Sequence, residues 1–115
     1  MPEGPEVKKM GLDLSKNISG EILEGVTILS GRYTKKSIPG WEFISKNLPT
    51  KIVGVGVHGK FLYILTSCGT NIWSTLGMTG QWSKKQTKHS RVKFSLQSGN
   101  KIYFNDQRNF GTIKF

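Results

Sequence analysis

Residues 91–104 read Arg91-Val92-Lys93-Phe94-Ser95-Leu96-Gln97-Ser98-Gly99-Asn100-Lys101-Ile102-Tyr103-Phe104, and this stretch decides the fold class. Polar and apolar residues alternate over 91–96, so Val92, Phe94 and Leu96 share one face of an extended strand. Gln97-Ser98-Gly99-Asn100 is a hairpin turn, because Gly and Asn tolerate the positive φ of tight turns. Residues 101–104 return. Working outward, residues 51–57 alternate in the same way, and 60–66 (KFLYILT) form a more continuous apolar run, as a buried strand does. Residues 71–76 lead into Gly77-Met78-Thr79-Gly80; residues 21–30 carry Ile22, Val26, Ile28 and Leu29; residues 111–115 begin another strand. Only the first segment has helical spacing: Val7, Met10, Leu14 and Ile18 share a face, Pro5 suits the first turn, and 17–20 form the stop. The expected fold is therefore mainly β (α+β): a two-layer antiparallel β-sandwich of seven or eight strands capped by one N-terminal helix. Residues 33–49 read as a long loop and 83–90 (SKKQTKHS) as a polar, basic one. No linker divides residues 1–115, which fit one domain.

Seventeen Lys and Arg stand against seven acidic residues, a net charge of +10. That balance favours a polyanionic partner, nucleic acid before an anionic membrane. No apolar run approaches the roughly 20 residues that span a bilayer, and no signal peptide is visible at the acidic start. Cys68, the single cysteine, has no partner for an internal disulfide and suits a reducing interior. Cys68, His58 and His89 are too few, and lack the spacing, for a zinc site.

Chemistry concentrates at Met1-Pro2-Glu3-Gly4-Pro5-Glu6-Val7. Removal of Met1 would leave Pro2 with a free secondary amine. An α-amino group has a pKa near ~7.7–8.0, so a useful neutral fraction exists at pH 7. Attack on an aldehyde carbon gives an iminium ion, an electron sink that drives elimination at the next carbon. Glu3 can move a proton at the same sugar. The same residues also make a good helix entry, with acids near the positive end of the dipole.

MPEGPEV resembles the opening signature of the Fpg/Nei (formamidopyrimidine-DNA glycosylase / endonuclease VIII) family, and Gly4 is more similar to the endonuclease VIII branch. The resemblance implies that Pro2 is the nucleophile at C1′ of a damaged nucleotide and Glu3 the acid/base. Three more segments agree in order and spacing. His58-Gly59-Lys60-Phe61-Leu62-Tyr63-Ile64 resembles the turn and strand whose lysine binds the lesion phosphate and assists β-elimination, which implies that role for Lys60. Leu76-Gly77-Met78-Thr79-Gly80 resembles the loop whose methionine fills the gap left by an everted base, here Met78. Asp106-Gln107-Arg108-Asn109-Phe110-Gly111 resembles the Asp-Pro-Arg-Arg-Phe-Gly loop, in which an arginine faces the orphaned base and a phenylalanine wedges into the stack, here Arg108 and Phe110. Such a wedge offsets the few kcal/mol of unstacking. Gln107 and Asn109 depart from that pattern, and Arg91 stands near a position where the bacterial enzymes often have a phosphate-binding His. Read without the family, Lys60 is a solvated strand-opening lysine, Met78 a core residue and Phe110 a half-buried loop residue.

The resemblance implies a bifunctional DNA glycosylase/AP lyase domain for base excision repair of oxidised bases. It would act on damaged double-stranded DNA as a monomer, inside the cell, with nucleus, nucleoid and viral factory not distinguished. No cofactor is expected within this chain. The helix–two-turn–helix region and the zinc or zincless finger of the family are absent from it, so weak, salt-sensitive binding and reduced activity are expected of the domain alone. The alternatives are a non-catalytic module that binds DNA damage or abasic sites, and an interaction domain whose charge is incidental.

Overall fold

A computed structural model describes residues 4–115. Helix α1 (Gly4–Ile18) buries Val7, Gly11, Leu14 and Ile18, the stripe that its three- and four-residue spacing sets, with Met10 partly buried against the same core. The strands follow: β1 (Ile22–Ile28), β2 (Thr50–His58), β3 (Phe61–Thr66), β4 (Asn71–Thr75), β5 (Gly80–Ser83), β6 (Ser90–Leu96), β7 (Lys101–Asp106) and β8 (Thr112–Lys114). They form one antiparallel sheet in the order β5-β7-β6-β1-β2-β3-β4-β8. Only two residue pairs join β1 to β2 (Ile22↔Lys51 and Leu23↔Thr50), so the sheet turns at this seam into two layers. Their inner faces meet in one core, with Val92, Phe94 and Phe104 from one half and Leu62, Ile64 and Ile72 from the other. The Trp82 indole crosses the core to donate to the Ser74 hydroxyl at 3.0 Å, and its ring packs on Phe94 and Phe104. This is the expected sandwich with its N-terminal helix.

Two segments correct the reading of the sequence. Residues 33–49 are not one long loop. They hold part of a short 3-10 turn (Arg32–Thr34) and a second helix, α2 (Trp41–Asn47), whose Ile44 is fully buried. Gly40 precedes α2 at φ 84° and packs against the Phe115 backbone, so the Pro39-Gly40 pair that looks like loop punctuation is in fact the helix entry. Residues 80–83 form β5, paired with β7 from Gly80↔Asp106 to Ser83↔Tyr103. At four residues β5 is too short to show a period of its own.

Tyr33 closes one margin of the sandwich. Its hydroxyl donates to the Ile113 carbonyl at 3.1 Å and accepts the Ile113 amide at 2.9 Å, serving both backbone groups on the outer side of β8. Among the described residues, no helix is long and apolar enough to cross a membrane.

Candidate nucleic-acid interface

Ladder register puts the functional segments at one end of the sheet. His58 pairs with Phe61, Phe61 with Thr75, and Thr75 with Thr112. The β2–β3 turn with Lys60, the β4–β5 loop with Met78 and the β7–β8 loop with Arg108 and Phe110 therefore project from adjacent strand ends. Lys60 is exposed at the tip of a two-residue turn, after Gly59 at φ 61°. Helix α1 starts at the same place: Gly4, Lys8, Gly11, Val57 and Gly59 border one open groove of about 430 Å³. Pro2 and Glu3 lie outside the described residues.

Met78 is 47 % exposed and Phe110 58 % exposed, so neither belongs to the core. Large apolar side chains held in water on two adjoining loops have no packing purpose within the domain. Arg108 is exposed between them in sequence. The loops touch closely: a Cβ on Gly77 would stand 2.9 Å from the Gly111 amide nitrogen and 3.0 Å from the Phe110 Cβ, and Gly77 has φ 56°. Only glycine meets both demands without strain.

Asp106 joins the loops. It is fully buried at the end of β7. One carboxylate oxygen accepts the Thr79 hydroxyl at 2.5 Å, and the other accepts the Gly111 amide at 2.7 Å. Thr79 in turn accepts the Arg108 amide at 2.9 Å.

Two arginines brace the loop, one from β6 and one from the 3-10 turn. Arg91 donates through Nε to the Asp106 carbonyl at 2.9 Å, through Nη1 to the Ser30 hydroxyl at 3.0 Å and through Nη2 to the Gln107 carbonyl at 3.3 Å. Arg32 donates to the Asn109 carbonyl at 2.8 Å. Asn109 sits at φ 60°, a conformation Asn tolerates better than most side chains. Arg91 is thus engaged within the chain, and Arg32, Thr79 and Asp106 are site residues that sequence reasoning missed. The Thr79 and Asp106 contacts span 27 residues, and those of Arg32 to Asn109 span 77, so no local pattern announces them. Among the described residues, no group of three or more His, Cys, Asp or Glu is placed to hold a metal ion.

Residues 1–113 match the family model for the formamidopyrimidine-DNA glycosylase N-terminal domain. The formamidopyrimidine-DNA glycosylase of Mycolicibacterium smegmatis is 30 % identical over 115 residues, which cover 96 % of this chain and 40 % of that protein. That of Rickettsia conorii is 33 % identical over 118 residues, covering 98 % and 42 %. Among solved structures, the MutM (Fpg) protein of Thermus thermophilus superposes with a TM-score of 0.81 at 29 % identity, over 98 % of this chain and 40 % of that one. Wild-type Lactococcus lactis Fpg in complex with DNA containing N7-benzyl-Fapy-dG gives 0.81 at 25 % identity, over 98 % and 43 %. Fold and site define a β-sandwich domain of the DNA-glycosylase kind. The chain belongs to the formamidopyrimidine-DNA glycosylase N-terminal domain family, and it spans about two fifths of the length of the relatives it matches.

Proposed function

We propose that this chain is the catalytic half of a bifunctional DNA glycosylase/AP lyase that removes oxidised bases from double-stranded DNA. The observation that carries the reading is the exposed set Met78, Arg108 and Phe110 on two tied loops, at the sheet end where Lys60 and the start of α1 also lie. An everted nucleotide leaves a gap in the duplex. Two apolar side chains and one guanidinium are the right chemistry to fill it, with the arginine facing the orphaned base.

The reaction assigned to the N-terminus runs as follows. The Pro2 nitrogen attacks C1′, and the glycosidic bond breaks with its electrons leaving on the base, which takes up a proton. The C1′–O4′ bond opens, O4′ is protonated, and an iminium ion remains between Pro2 and C1′. Loss of the C2′ proton then expels the 3′-phosphate, and a second elimination releases the 5′-phosphate. Glu3 exchanges protons at the sugar. Lys60 holds the lesion phosphate and assists elimination. Arg91 is assigned a backbone phosphate through the exposed Nη2 side of its brace. No step needs a cofactor held by this chain. The helix–two-turn–helix and finger regions of the family would supply the second side of the DNA grip.

The test is reductive trapping. The chain, with Met1 removed, is incubated with a duplex containing an abasic site and with borohydride. The expected result is a covalent adduct that maps to Pro2 and disappears when an N-terminal extension masks the amine. Binding of the abasic duplex without any adduct would overturn the lyase assignment and leave a damage-binding module.

A further inference from the structure

We infer that Thr79 is a positioning residue that makes the Met78 loop and the Arg108–Phe110 loop insert into DNA as one unit. The inference rests on the proposed reading of these loops as void fillers. Its basis is a single hydroxyl that works in both directions. Thr79 Oγ1 donates its one proton to buried Asp106 and accepts the Arg108 amide, while the second Asp106 oxygen holds the Gly111 amide on the far side of Phe110.

Geometry narrows the alternatives for each loop. The β4–β5 loop is closed by the Gly80 amide donating to the Leu76 carbonyl at 2.7 Å, which leaves Gly77, Met78 and Thr79 to form the tip. The opposite loop is held on its outer side by Arg32 and Arg91, through the Asn109, Gln107 and Asp106 carbonyls. Thr79 is the side chain that bonds to the inner side of that loop, between the two tips. It lies next to Met78 in sequence and bonds directly to the backbone of Arg108, so a shift of either tip strains the same two hydrogen bonds. Asp106 is fully buried, so its carboxylate has no cheap substitute for the Thr79 hydroxyl, which keeps the two loops in one arrangement. Preorganisation of this kind lowers the ordering cost of insertion. Thr79 acts through Met78, Arg108 and Phe110 and need not touch DNA.

Two properties separate coupling from simple support. The first is rescue: Thr79→Ser keeps the hydroxyl, whereas Thr79→Val keeps the shape and loses it. The second is non-additivity between Met78→Ala and Phe110→Ala, since coupled groups do not contribute independently. The experiment measures Kd at low salt for a duplex carrying a tetrahydrofuran abasic analogue and for the same duplex undamaged. In the original chain and in Thr79→Ser, the expected preference is for the damaged duplex, with Met78→Ala and Phe110→Ala non-additive. In Thr79→Val, the preference for the damaged over the undamaged duplex falls about tenfold, and the two alanine effects become additive. A preference that Thr79→Val retains, or loses equally in Thr79→Ser, overturns the inference and leaves the void-filling reading intact. Equal affinity of the original chain for both duplexes overturns the void-filling reading itself, and the inference with it.

Discussion

Phe110 and Asp106 lie four residues apart and face opposite demands. Phe110 is 58 % exposed, and its Cβ already makes the close approach to Gly77 that alanine would keep. Phe110→Ala should therefore change folding stability by no more than ~0.5 kcal/mol while abolishing preference for an abasic duplex. Asp106→Ala strips partners from the Thr79 hydroxyl and the Gly111 amide, and should cost about 2–4 kcal/mol in urea denaturation. Equal losses of stability in the two variants would contradict this division. Cys68 carries a different expectation. Burial raises its pKa, but hydrogen bonds from Thr66, the Thr70 backbone and Thr50 outweigh that and bring the thiol down to about 7. Because the thiolate is the nucleophile, iodoacetamide alkylation should reach half its maximal rate near pH 7, about 1.5 units below an ordinary cysteine. A midpoint above pH 8 would show that the threonine contacts do not favour the thiolate.

Among the elements, legibility followed length and periodicity. Val92, Phe94 and Leu96 alternate across seven residues of β6, and all three are buried as the pattern requires. Val7, Leu14 and Ile18 mark the inner stripe of α1 equally plainly. Helix α2 was hidden because seven residues make barely two turns, and Pro39-Gly40 ahead of it imitates a loop. Its worth lies in one side chain. Ile44→Ala should cost about 2–4 kcal/mol, whereas Phe43→Ser, at a 52 % exposed position one residue earlier, should be nearly neutral. Similar costs at both sites would mean that α2 does not dock through Ile44. The exposed tips of the candidate site could be read from residue types in loop motifs. The bonds that hold them could not, since Thr79 meets Asp106 across 27 residues and Arg32 meets Asn109 across 77.

At the scale of the whole molecule, net charge sets how the chain meets DNA. A chain with net charge +10 meets DNA through counterion release. If Lys60 and Arg91 each neutralise one phosphate, log K against log salt should have a slope of about −1.8, and affinity should fall about twelvefold between 50 and 200 mM salt. A flat salt response would exclude phosphate contacts as the source of binding. The relatives it matches are about two and a half times as long, so a full-length family member should bind more tightly than this domain under the same conditions.

The Tyr33 hydroxyl that satisfies both polar groups of Ile113 stands in for a ninth strand. A β margin left bare is a template for another polypeptide, and here its cover is the Tyr33 hydroxyl at Ile113 and the Pro39 carbonyl, which accepts the Phe115 amide at 2.9 Å. Tyr33→Phe keeps the ring in its buried seat and bares the Ile113 amide and carbonyl, so the altered chain should self-associate as its concentration rises, visible as a growing sedimentation coefficient. Resistance to intermolecular zippering would then depend on a residue outside every strand, and would be lost without any change to the apolar interior.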